Sequence, residues 1–163
     1  NDFFWGTEDY LFSEKSSLLP EQHDAIKKAH DLIMKYTRQL YSESPVHIIH
    51  ADYHGWNLMW NDGQLSIFDF DDCGFGVEAQ DLAVALYYLD TPEQEAALLA
   101  GYTSVRPLPV YSDNAMKSLL LQRRLLLLNY LFETKNAEHK EMLPAYLEKS
   151  MERVSAFLTD VTQ

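Results

Sequence analysis

The chain has 163 residues, 47 % of them apolar, enough for one compact domain that buries roughly 70 % of its unfolded surface. A formal net charge of −12 at pH 7 excludes a nucleic-acid surface, which needs a basic stripe to neutralise phosphates. No apolar run reaches the ~20 residues of a membrane span, no basic-then-apolar leader opens the chain, and the single cysteine, Cys73, has no partner for an internal disulfide, so a cytoplasmic protein is expected.

In chain order, Pro20 to about Ser42 reads as an amphipathic helix, with Ile26, Ala29, Ile33 and Leu40 among residues recurring at three- and four-residue steps. Pro45 ends it, because the residue before a proline is pushed out of the helical region. The β-branched run "VHIIH" follows, then an irregular "ADYHGW". "NLMW" and "QLSIFDF" flank "NDG", which is the signature of two short strands around a tight turn. Two strands alone are marginal, so the hairpin is expected to lie on helices. From Glu78 onward four segments read as helical: "AQDLAVALYYL", "PEQEAALLAGY", "SDNAMKSLLLQRRLLLLNYLFE" and "EHKEMLPAYLEKSMERVSAFL". Thr91 and Asp113 are the expected helix caps, with Pro92 at a first helical position.

The charge has a location. Between Gln39 and Val105 there is no Lys or Arg, while eleven acids lie there, from Glu43 to Glu95. The part of the chain that does not read as helix lies within that segment, and loops held by a rigid scaffold are where chemistry is usually placed.

Three chemistries compete for it. A haloacid-dehalogenase-like phosphatase would use the D-x-D pair Asp69 and Asp71 at the end of an apolar strand, but it needs alternating strands and helices afterwards, and only helices follow. A transition-metal centre could draw on His47, His50, Asp52 and His54, yet on an extended segment His47 would point away from the other three. The third reading uses both halves of the segment. "HADYHGWN" is H-x-D with Asn five residues after the Asp, and twelve residues beyond Asn57 stands Asp69 at a strand end. A kinase catalytic loop has that Asp-to-Asn spacing, with a second Asp after the next hairpin. Phosphoryl transfer needs those types: an acceptor for the substrate hydroxyl proton, here Asp52, and oxygen ligands for a hard cation, here Asn57 and Asp69.

With "IFDFDDCGFG" and then "QDLA", in which Asp81 stands twelve residues past Asp69, this core of roughly residues 46 to 89 resembles the aminoglycoside phosphotransferase and choline kinase-like family of small-molecule kinases. The resemblance implies an α+β, mostly α fold: the C-terminal, helical lobe of a protein-kinase-like enzyme, with a small β-hairpin carrying the catalytic and metal-binding loops. It implies Mg²⁺ and ATP, with Asp52 as base, Asn57 and Asp69 on the metal, His50 as a structural brace, and Asp81 accepting hydrogen bonds from catalytic-loop amides. The partner it implies is a small-molecule hydroxyl substrate of the aminoglycoside, choline or homoserine kind. Ala51 stands where the family has Gly, and Tyr53, His54 and Trp56 are bulkier than the common loop residues, so they become substrate-side candidates together with Asp71 and Asp72. Asp72, Tyr53 and Trp56 would suit a cationic acceptor through charge pairing and cation–π contact.

Neither a Gly-rich phosphate loop nor its strand lysine is in the sequence. Residues 1–163 are therefore expected to be the C-terminal lobe alone, inactive without an N-terminal ATP-clamping lobe. A non-catalytic kinase-fold binding or regulatory module is the alternative from another class.

Overall fold

A computed structural model describes residues 8–161. The order of elements is α1 (Pro20–Glu43), β1 (His47–Ile49), a single 3-10 turn (Gly55–Asn57), β2 (Leu58–Asn61), β3 (Gln64–Ile67), β4 (Gly74–Gly76), α2 (Glu78–Tyr87), α3 (Pro92–Val105), α4 (Asp113–Glu133) and α5 (Ala137–Val161). The mostly helical α+β class expected from the sequence is the class found. No helix among the described residues is long and apolar enough to cross a membrane.

The chain divides into two compact units rather than gathering around the one core its length suggested. One runs to Thr37 and resumes at Leu121; the other is Arg38–Leu120. In the first, the apolar stripe of α1 (Ile26, Ala29, Ile33) packs with Leu121, Leu125 and Leu128 of α4 and with Val154 and Phe157 of α5. Each such fully buried large side chain contributes about 1.5–3 kcal/mol. Leu11 joins this core from outside any helix, and buried Asn129 holds its segment there. The Asn129 Oδ1 accepts from the backbone N–H groups of Tyr10 and Leu11, each at 2.9 Å, while its Nδ2 donates to the Glu8 carbonyl at 3.0 Å. The arginines that interrupt the leucines of α4 are buried too. Arg124 donates to Ser150 Oγ at 2.9 Å and to the Tyr146 carbonyl at 3.1 Å, with its guanidinium 3.6 Å from the Tyr146 ring centroid. Cation–π contact and hydrogen bonds together compensate its desolvation.

In the second unit, Leu40, Val77, Ala79, Ala83, Ala115 and Leu119 form a smaller core. β2 and β3 are antiparallel, with Leu58 opposite Ile67 and Asn61 opposite Gln64. Their turn places Asp62 at φ 47° and Gly63 at φ 77°, the two positive values that a tight hairpin turn requires. This hairpin is not sunk against helices as expected: Trp60 is 71 % exposed, and Met59, Leu65 and Ile67 are exposed as well. The strand pair beside a helix is a different one. β1 runs next to α2 and pairs antiparallel with β4, His47 opposite Gly76. β4 carries no strand signal of its own; its Gly76 is there for close approach, since a Cβ at that position would overlap the Ile49 side chain and meet Gln80 Oε1 at 3.0 Å.

Thr91 caps α3, with reciprocal Gln94 contacts completing a capping box. At α4 the cap is Ser112 rather than Asp113: its Oγ accepts from the Ala115 N–H at 3.2 Å and its carbonyl from the Met116 N–H at 3.1 Å. Asp113 is the first helical residue, one step too late to cap.

Candidate active site

Every sequence-predicted site residue falls in the second unit, on the stretch from β1 to the start of α2. β1 ends at Ile49, and the chain then has no ladder partner for its next amides. Asp81, in the first turn of α2, takes them: its Oδ2 accepts from the His50 N–H at 2.9 Å and its Oδ1 from the Ala51 N–H at 2.7 Å. Both residues are buried. A carboxylate is the side chain that can accept two adjacent amides at once.

The turn out of β1 is made at Ala51, which has φ 65°. For a residue with a Cβ this left-handed conformation costs about 1–2 kcal/mol. Ala51→Gly is nevertheless expected to be near neutral in urea unfolding, because relief of that strain is offset by glycine's entropy in the unfolded chain and by a lost buried methyl of about 0.8 kcal/mol. Ala51→Val, which adds a branch in a conformation β-branched residues avoid, should cost about 2–3 kcal/mol in the same measurement.

His50 braces the loop from inside. Its Nδ1 accepts from the Asp52 N–H at 3.3 Å, which leaves the proton on Nε2 to donate to the Phe68 carbonyl at 3.1 Å. That carbonyl immediately precedes Asp69, so one imidazole ties the Asp52 loop to the Asp69 strand end. The His50 ring also lies against Phe70, with centroids 4.6 Å apart.

Asp52 stands at the centre of the cluster. Asn57, buried at the end of the 3-10 turn, donates its Nδ2 to the Asp52 backbone carbonyl at 2.9 Å and to the Asp52 Oδ2 at 3.0 Å. With the amide nitrogen committed there, the Asn57 carbonyl oxygen is turned away from the carboxylate. The same Oδ2 lies 3.2 Å from His54 Nε2. His54, expected as a substrate-side candidate, is hydrogen-bonded to Asp52, and the signal for this contact, a side chain two residues on in a turn, is too common to read from sequence.

Asp69 is exposed and has φ 64°, a conformation that Asp tolerates better than most residues. Asp71 and Asp72 stand in the exposed turn that follows, outside the hydrogen-bonded cluster of Asp52, His54 and Asn57. Tyr53 is half-buried, its ring edge-on to His50 at 6.1 Å, and Trp56 is 88 % exposed. His47 points elsewhere, toward Glu78 at 3.5 Å, and Glu78 is also ion-paired to Arg106 at 2.5 Å. Among the described residues no group of three or more His, Cys, Asp and Glu side chains converges to hold a metal by itself. What the segment offers a cation is oxygen: the Asn57 amide and the Asp69 carboxylate. Such a donor set fits a hard ion that completes its shell with water and phosphate.

The model of a family described as "Phosphotransferase enzyme family" matches residues 3–111. Amicoumacin kinase of Bacillus subtilis (strain 168) is 32 % identical over 84 residues, 51 % of this chain and 24 % of that protein. Among solved structures, a microcompartment-associated aminopropanol kinase superposes with a TM-score of 0.74 at 26 % identity over 96 % of this chain. An amicoumacin kinase in complex with AMP-PNP, Ca²⁺ and Ami gives a TM-score of 0.62 at 23 % identity over 90 % of this chain, a likeness of fold. The chain spans about a quarter of the curated kinase and 50 % of each solved chain.

Proposed function

This chain belongs to the phosphotransferase enzyme family, and on that premise we propose that it is the catalytic-loop lobe of an ATP-dependent small-molecule kinase that phosphorylates a hydroxyl group. The observation that carries the reading is the pair of hydrogen bonds from Asn57 Nδ2 to the carbonyl and carboxylate of Asp52, which supports reading the two side chains as one unit of base and cation ligand. Asp52 accepts the proton of the acceptor hydroxyl. The hydroxyl oxygen forms a bond to the γ-phosphorus as the bond to the bridging oxygen breaks, and ADP leaves. The Asn57 amide oxygen and the Asp69 carboxylate would hold Mg²⁺, whose chemistry when bound is to neutralise charge on the transferring phosphates. His50 and Asp81 keep the two loops in register. The lysine that clamps ATP in kinase chemistry would belong to an N-terminal lobe of the same protein, a reading supported by the chain's spanning 50 % of each solved kinase.

The acceptor carries an amine. Asp71 and Asp72 lie exposed beside the site and Trp56 offers an exposed aromatic face, a combination that suits an ammonium group by charge pairing and cation–π contact. Amicoumacin and aminopropanol kinases are among the relatives, which supports amino alcohols as the first compounds to try.

The test is a screen of the full-length protein with Mg²⁺-ATP against amino alcohols, aminoglycosides, choline, homoserine and neutral sugars, reading ADP release and phosphorylated product. Phosphorylation of an amine-bearing alcohol is expected; ATP left unconsumed with every compound would sink the reading. Asp69→Asn should raise the Mg²⁺ concentration for half-maximal turnover by about 10–100-fold, the usual cost of impairing a metal's ligand environment. An unchanged Mg²⁺ dependence would remove Asp69 from the site.

A further inference from the structure

His54 touches Asp52 but has no assigned part in the transfer. Its imidazole makes two polar contacts, and together they fix its tautomer. Nδ1 accepts the Trp56 backbone N–H at 3.2 Å, capping the 3-10 turn that carries Asn57. A nitrogen that accepts a hydrogen bond carries no proton, so in the neutral ring the proton sits on Nε2. Nε2 is the atom 3.2 Å from Asp52 Oδ2. The contact is therefore an N–H donating to a carboxylate.

The ring is also held in place. The His54 side chain is only 12 % exposed, and its face lies against Tyr88 at the C-terminal end of α2, centroids 4.6 Å apart and planes tilted by 52°. α2 thus acts on the loop at two points: Asp81 takes the amides that precede Asp52, and Tyr88 supports the ring that follows it. Asp52 Oδ2 receives two donors, His54 Nε2 and Asn57 Nδ2, from opposite ends of one short turn. Two donors on one oxygen fix the rotation of the carboxylate, which a single donor leaves as a hinge.

We infer that His54 is a positioning residue for phosphoryl transfer, its Nε2–H orienting the Asp52 carboxylate while its Nδ1 holds the turn that presents Asn57. The inference rests on the reading of Asp52 as the base. It assigns no proton transfer to His54.

Three substitutions in the full-length protein separate the two contacts. His54→Gln keeps a donor at the Nε2 position, His54→Asn keeps an acceptor at the Nδ1 position but loses the donor, and His54→Phe keeps only the ring against Tyr88. In steady-state kinetics with an acceptor the wild type phosphorylates, His54→Asn and His54→Phe should lower kcat by about 10–100-fold with KM for ATP unchanged, and His54→Gln should recover most of that loss. Wild-type kcat in His54→Phe or His54→Asn, or an equal loss in all three, overturns the inference. If the wild type phosphorylates nothing, the proposed function fails separately, and nitrogen-15 NMR of the histidine rings decides the inference alone. The His54 signal should be that of the Nε2–H tautomer and should move in Asp52→Asn; an Nδ1–H tautomer, or a signal indifferent to Asp52, rejects it.

Discussion

Asp52→Asn in the full-length protein is expected to lower kcat by about 10²–10⁴-fold, or roughly 3–5 kcal/mol of barrier, while leaving the fold in place. The substitution is chosen because it separates basicity from architecture. An amide oxygen in the Oδ2 position can still accept from Asn57 Nδ2 and His54 Nε2, so the contacts that organise the turn survive. What is lost is the group that takes the hydroxyl proton. Thermal unfolding should shift by no more than a few degrees, and KM for ATP should change little, since Asp52 contacts the acceptor and not the nucleotide in this mechanism. Equal turnover in the variant and the wild type would remove Asp52 as the base.

The second large effect is on stability. Asp81→Ala leaves the amides of His50 and Ala51 without their acceptor, at residues that are themselves buried. Each buried N–H left unpaired costs about 1–3 kcal/mol, so a loss of about 2–5 kcal/mol is expected in urea unfolding. Against a total of about 5–15 kcal/mol for an ordinary domain that is a large share. Asp81→Asn is the informative companion. Its one oxygen can serve one amide, while its NH₂ faces the other as a second donor, so it should recover at most half of the loss. A variant with alanine here that unfolds at the wild-type urea concentration would mean that water reaches these amides.

Much of this was readable before any coordinates. The helices follow from apolar residues at three- and four-residue steps, a local signal that survives whatever the helix packs against. The "NDG" turn was equally local, since only residues tolerating positive φ allow so short a connection. The spacing from Asp52 through Asn57 and Asp69 to Asp81 pointed to this segment through its resemblance to one kinase family, and the acceptor part expected of Asp81 is seen in its two hydrogen bonds to the His50 and Ala51 amides.

What escaped depends on partners distant in sequence. β4 is the segment "GFG", and nothing in those residues favours a strand; it is one because β1 supplies the ladder and Gly76 lets the backbone come close to Ile49. Asn129 reads as a polar interruption among leucines, and its use in holding Tyr10 and Leu11 appears only when residues 118 or more positions apart meet. The shift of the α4 cap from Asp113 to Ser112 is a one-residue matter on which two good capping residues compete. The direction of the His54 ring is set by Trp56 and Tyr88, whose positions sequence spacing does not give.

The Asp81 clamp has a dynamical consequence. Loop segments commonly move with the strand they leave, because the last ladder bonds are their nearest anchor. Here the first amides beyond β1 are fastened to a helix side chain, so the loop belongs to the same opening unit as α2. The exposed tip of the hairpin can bend or fray while Asp52 keeps its place, and fluctuations that unwind the first turn of α2 are the ones that release it.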